Sequence, residues 1–107
     1  MLATDPWTAL ADPTRRGILA RVLARPTSVT DLARDVPVSR PAVSQHLQVL
    51  LEARLVEVRP QGRQRIYSAR LDGLADLRHE LEQFWTQALA TFKQVAESTY
   101  ASQEETP

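Results

Sequence analysis

The stretch VSRPAVSQHLQVLLEARLV, Val38 to Val56, decides how the chain is read. With Ser39 as N-cap, its hydroxyl accepts a backbone N–H one turn in, and a helix runs from Arg40 to about Ala53. Pro41 suits the first turn, where its missing N–H has no intrahelical partner to lose. At roughly 100° per residue, Val43, Leu47 and Leu50 form one narrow apolar stripe with Leu51 at its border. Pro41, Ser44, Gln45, Gln48 and Glu52 occupy the opposite face, and only Glu52 among them is charged. A solvated helix face ordinarily carries Lys and Glu in quantity. This one, with Arg40 at its start, carries uncharged groups that approach a polyanion without repulsion. Gln, Ser and Arg near a helix N-terminus are also the groups that hydrogen-bond base edges in a DNA major groove.

Immediately upstream, SVTDLARDV reads as a shorter helix opened by a capping box, Ser28 with Asp31 three residues on, and buried through Leu32, Ala33 and Val36. VPVS is the turn, so residues 28–53 form helix, short turn, helix. Before them, TDPWTAL predicts a short helix capped by Thr4 or Asp5. ADPTRRGILARVLARP predicts another, with Asp12 as cap, Pro13 at the first helical position, and an apolar stripe of Ile18, Leu19, Val22 and Leu23 ending before Pro26. After Ala53 the pattern alternates: LVEVRP and RIYSAR flank QGRQ, and Gly62 supplies the permissive backbone of a hairpin tip, so residues 55–70 read as a two-stranded wing. Its tip carries Arg59, Gln61, Arg63 and Arg65 and no acid. Asp72 then caps a long helix to about Ser98, with Leu74, Leu77, Leu81, Phe84, Trp85, Ala88, Leu89, Phe92 and Val95 at three- and four-residue intervals; residues 99–107 read as a disordered tail.

The 107 residues fit one domain over 1–98, mainly α with a small β-hairpin, small enough for a partner subunit to contribute much of its burial. No cysteine is present, which excludes disulfides, thiolate metal sites and thiol redox chemistry. MLATDPWTAL lacks a basic start followed by an apolar run, and no segment approaches the ~20 apolar residues of a membrane span, so a soluble cytoplasmic protein without membrane contact is expected. The formal net charge of zero conceals a division: residues 1–70 hold eleven Arg against six acids, residues 71–107 two basic residues against seven acids. The first part is attracted to phosphates and the second is not. Catalysis is not expected, because neither a phosphate-cradling glycine loop nor a histidine placed by motif beside a nucleophile and a carboxylate occurs.

ALADPTRRGIL, then SVTDLARDVPVSRPAVSQHLQVLLEARLV, then the wing, resemble the ArsR/SmtB family of bacterial repressors, in particular its cysteine-free branch. The resemblance spans about Trp7 to Phe92, and Ser39, Ser44, His46, Leu47 and Leu50 carry its most specific part. It implies a winged helix-turn-helix homodimer that occupies an operator in double-stranded DNA and blocks transcription. In that picture the second helix of the pair enters the major groove, the wing reaches the flanking backbone or minor groove, and the first and last helices make the dimer. Two features depart from the family: Arg54 stands where a glycine is usual, a position suited to left-handed backbone, and the Cys pair of metal-sensing members is missing near VTDLARD.

The expected DNA-binding residues are Ser39, Arg40, Pro41, Ser44, Gln45, His46, Gln48, Arg63, Arg65 and Tyr67. His46 borders the core stripe, so a half-buried ring bonded to backbone stands beside DNA contact as a reading. Tyr67 alternates with Ile66, and the expectation is that Ile66 faces the core and frees Tyr67 for phosphate. Trp7, Leu10, Leu77, Leu81, Phe84, Trp85, Leu89 and Phe92 are expected at the dimer seam, in preference to a ligand pocket. His79 with Asp76, Glu80 and Glu82 offers a single imidazole, so a charged helix face is expected there, with no metal and no cofactor. The rival to DNA binding is a dimeric helical protein-interaction module, antitoxin-like or anti-regulatory. The inducing effector is not legible.

Overall fold

Short polar side chains start the helices where the sequence places them. In the computed structural model, which describes residues 4–104, the elements follow in the order α1 (Pro6–Ala9), α2 (Pro13–Ala24), β1 (Thr27–Ser28), α3 (Val29–Asp35), α4 (Arg40–Glu52), β2 (Val56–Gln61), β3 (Gln64–Ala69) and α5 (Leu71–Glu104). Asp5 caps α1 by accepting from Trp7 N, and Asp12 caps α2 by accepting from Thr14 N at 2.8 Å and Arg15 N at 3.1 Å. These backbone N–H bonds, that of Arg15 foremost, hold the Asp12 carboxyl below the ordinary carboxylate range. Ser28 accepts from Asp31 N and Ser39 from Ala42 N. The expected capping box on α3 is only half made. Ser28 is part of β1, paired with Ile66, and the Asp31 carboxylate turns outward to Arg34 at 3.4 Å.

The core of the first part gathers Ile18 and Val22 from α2, Leu32 from α3, Val43, Leu47 and Leu50 from α4, and Leu55 and Val56 at the base of the wing, all fully buried. Each such side chain contributes about 1.5–3 kcal/mol relative to leaving it in water. Leu23, assigned to the α2 stripe by periodicity, is exposed: it stands in the last turn, where the chain leaves the core for β1.

The wing has one strand more than the sequence reading gave. β1 pairs antiparallel with β3, and β3 with β2, in the order β1-β3-β2, with Gln61 opposite Gln64 across a two-residue turn. Gly62 has φ 63°, the left-handed backbone that the hairpin tip requires.

Helix α4 ends in a Schellman motif. Arg54 N–H bonds to Leu51 O and Leu55 N–H to Leu50 O, each at 3.0 Å, and Leu50 and Leu55 are both buried beneath the corner. The motif needs a left-handed residue at position 54, and Arg54 adopts it with φ 62°. An L-residue there bears a strain of roughly 1–2 kcal/mol. The same corner explains Gly73: a Cβ at that position would collide with the Arg54 carbonyl oxygen. Arg70 N–H bonds to Leu55 O at 2.9 Å, so α5 starts as soon as β3 ends. Asp72 therefore lies inside the first turn of α5 and not at its cap. Its carboxyl bonds the Arg70 guanidinium at 2.9 Å, which holds it below the ordinary carboxylate range.

The chain divides into two compact units, Met1–Ala75 and Asp76–Pro107. In the second, the helix continues to Glu104, six residues past the expected end at Ser98; the rest of the expected tail, 105–107, lies outside the described residues. No helix among the described residues is long and apolar enough to cross a membrane.

Candidate nucleic-acid interface

Because Val43, Leu47 and Leu50 are wholly buried, the other face of α4 is fixed outward, and Arg40, Pro41, Ser44, Gln45, Gln48 and Glu52 are all exposed on it or at its start. Ser39, also exposed, is occupied as the N-cap through its hydroxyl. Glu52, the acid on this face, stands at the far end of the helix. Thr4 Oγ1 donates to its Oε2 at 3.0 Å and Gln48 Nε2 to its Oε1 at 3.4 Å. Gln48 is thus partly engaged within its own helix, whereas Ser44 and Gln45 have no side-chain partner among the described residues.

His46 is half-buried, and its partner is a side chain instead of the backbone. Arg15 of α2 places Nη1 3.4 Å from His46 Nδ1, donates through Nε to Ala9 O at 2.7 Å, and lies 3.9 Å from the Asp12 carboxylate. A guanidinium has only donors, so Nδ1 takes the acceptor role where this contact is a hydrogen bond. One arginine thereby ties the end of α1 and the start of α2 to α4. Arg16 supports the same corner by donating to Leu10 O and Ala11 O. Sequence reasoning missed both residues. Their only signal was a pair of arginines three and four positions after the Asp12 cap.

On the wing, Arg59, Arg63 and Arg65 are exposed as expected. Tyr67 and Ile66 are a correction: Tyr67 is 6% exposed and Ile66 only half-buried. The pairing sets this, because Val58 lies opposite Tyr67 and Val56 opposite Ala69, which puts Tyr67 on the apolar face, while Ile66 lies opposite Arg59. The central position of β3 between β1 and β2 then encloses the ring. Tyr67 thus packs its ring in the core, where Ile66 was expected.

The arginines divide by their partners. Arg15, Arg34, Arg70 and Arg78 make ion pairs, and Arg16 and Arg21 hydrogen-bond backbone carbonyls. Arg40, Arg59, Arg63 and Arg65, on the α4 start and the wing, make none of these bonds among the described residues; outside this surface the same holds for Arg25, Arg54 and Lys93.

The expected seam residues fall in both units. In the first, Trp7 is 42% exposed and Leu10 half-buried. In the second, Leu77 is half-buried, and Leu81, Phe84, Trp85, Leu89 and Phe92 are between 50% and 72% exposed, with Val95 and Tyr100 similarly bare. These side chains share a broad arc of the helix, wider than a soluble surface ordinarily leaves in water.

A buried-stripe helix with a polar outer face, reached by a four-residue turn and followed by an arginine-tipped hairpin, defines a winged helix-turn-helix protein. Residues 10–59 match the family described as a helix-turn-helix domain. Over 92 residues the chain is 55% identical to the HTH-type transcriptional regulator Rv2034 of Mycobacterium tuberculosis, covering 86% of each sequence. It superposes on an ArsR-like transcriptional regulator from Rhodococcus sp. RHA1 with a TM-score of 0.70 and 36% identity, covering 84% of this chain and 88% of that one. It also resembles the homodimeric winged helix-turn-helix DNA-binding domain of Mb0332 from Mycobacterium bovis, with TM-score 0.60, 26% identity, and 74% and 73% coverage. The chain belongs to the ArsR/SmtB family of transcriptional regulators, a family without enzymatic activity.

Proposed function

We propose that the protein is a homodimeric repressor that inserts α4 into successive major grooves of a palindromic operator while the wing arginines meet the flanking phosphates. The observation that carries this reading is the outer surface of α4 and the wing, where Ser44 and Gln45 keep free polar side chains and Arg40, Arg59, Arg63 and Arg65 are unpaired. Unpaired guanidiniums attract phosphates and gain affinity from released counterions, and Gln and Ser on a groove-sized helix read base edges. The bare apolar arc of α5 supports a second copy as partner, and Trp7 of α1 supports a contribution from the first helix. The homodimeric state of Mb0332 points the same way. Repression, through an occupied operator in the cytoplasm, follows from the resemblance to a family of repressors.

Selection of bound fragments from random duplex DNA tests the reading. A palindrome should emerge with half-sites about 10–10.5 base pairs apart or a multiple of that, and affinity for it should fall steeply with salt. In transcription assays a promoter overlapping that palindrome should be silenced by the protein. A dimer that enriches no sequence and binds no duplex at low salt would instead be a protein-interaction module on the same scaffold.

A further inference from the structure

Between the wing and the first turns of α4 lies a cleft of about 230 Å³, walled by Ser28 and Thr30 next to the start of α3, Arg40 and Ser44 of α4, and Arg63 and Arg65 of the wing. Three arginines and three hydroxyl-bearing residues thus line one space, with Val29 and Gln64 between them, and no carboxylate is among its lining residues. None of the three arginines has an ion pair or hydrogen bond among the described residues, although most arginines elsewhere in the chain are engaged. Like charges gathered around a cavity repel one another unless an anion sits between them. Ser28 is 3% exposed, and its hydroxyl accepts from Asp31 N–H, which leaves its proton to donate. The start of the 13-residue helix α4 adds its positive dipole end to the same wall. The volume is several times the ~30 Å³ share of one water, room for a tetrahedral oxyanion.

We propose that this cleft is the seat of a single phosphate, taking one backbone phosphodiester of the operator in each half-site and accepting free inorganic phosphate when no DNA is bound. The proposal rests on the DNA-binding reading and deepens it. Arg40 becomes a phosphate clamp shared with the wing, Ser44 lines the same seat, and base reading falls to Gln45 beyond it. Because one phosphate bridges α4 and the hairpin, it also sets the wing against the recognition helix.

The test uses the full chain and its selected operator. Arg40→Ala and Arg63→Ala should each weaken binding about tenfold, with unchanged thermal unfolding, but the double variant should lose far less than the product of the two, because both act on one group. A duplex with a neutral methylphosphonate at one position per half-site should reproduce the loss and silence the effect of either variant. In a second arm without DNA, inorganic phosphate should shift the arginine side-chain NMR signals of Arg40, Arg63 and Arg65 together and saturably, and Arg40→Ala should abolish the response. Operator binding with losses that multiply, and no single phosphate position that silences both variants, overturns the seat and leaves the proposed function standing. If duplex DNA is not bound yet free phosphate is, the proposed function fails and the seat stands for a small phosphorylated ligand. If neither is bound, both fail.

Discussion

The two units of the chain treat their apolar side chains in opposite ways. In the first, α2, α3, α4 and the wing bury Ile18, Leu32, Leu47, Leu50 and Leu55 completely, and outside them the large apolar side chains left exposed among the described residues are Trp7, Leu23 and Leu71 at the ends of elements. In the second, Leu81, Phe84, Trp85, Leu89, Phe92 and Val95 stand at least half in water. The charges reverse with them: the unpaired arginines among the described residues all belong to the first unit, while Arg78, the one arginine of the second, is paired to Glu82 at 2.9 Å. The first unit is self-sufficient as a fold and unsatisfied in its charge. The second is unsatisfied in its apolar surface. The proposed operator answers the first deficit and the proposed second copy of the chain the other.

The largest effect should come from spoiling the second surface. Phe84→Asp or Trp85→Asp places a carboxylate where a large ring, worth about 1.5–3 kcal/mol of burial, would pack in a dimer. Sedimentation at micromolar concentration should show monomers, and operator binding should vanish with the dimer, while the NMR amide pattern of residues 4–75 stays in place. A variant that remains dimeric would break the contrast between the units.

Leucines from the two units sharpen the same contrast. Leu47→Ala empties a closed core and should cost about 2–5 kcal/mol in chemical denaturation at any protein concentration. Leu89→Ala should act through association instead, so its midpoint should approach that of wild type on dilution. Equal, concentration-independent losses in both would show that α5 is buried within its own chain.

Smaller effects test the corner where α4 hands over to the wing and α5. Gly73→Ala drives a methyl into the Arg54 carbonyl and should destabilise by about 1–3 kcal/mol. Arg54→Gly relieves the left-handed strain and, after the greater freedom of glycine in the unfolded chain is offset, should stabilise by about 0.5–1 kcal/mol. Opposite signs in urea denaturation are the expected outcome. The smallest effect is on pH dependence. The Asp12 and Asp72 carboxyls are depressed in the folded state, so their contribution is present above the ordinary carboxylate range and disappears as pH falls through the folded values. Stability should therefore decline below about pH 4, and Asp12→Asn should flatten that decline. An unaltered acid slope would remove the cap bonds as its cause.

Much of the candidate site was legible because it depends on neighbours along the chain. Ser39, Asp12 and Ser28 announce helix starts by their own chemistry, and Val43, Leu47 and Leu50 fix which face of α4 turns outward. The Tyr67 correction was legible too, since the Gly62 turn sets a register in which Val58 faces Tyr67; alternation within β3 alone left the choice of face open. Arg54 was legible as a position, because the family resemblance marks it for left-handed backbone. That an arginine accepts the strain there was not.

The sequence by itself determined the order of helices and wing, the polar outer face of α4, the cationic hairpin tip and the absence of thiol chemistry, all of which rest on composition and on spacings of a few residues. Only the tertiary structure decided that Arg15 meets His46 across 31 residues, that Thr4 reaches Glu52 across 48, that β1 encloses Tyr67, and that Arg40 shares a cleft with Arg63 and Arg65. Caps and periodicity are settled within a turn or two of the backbone. Which distant side chains come to share a partner depends on how the packed elements lie against each other, and no local pattern encodes that.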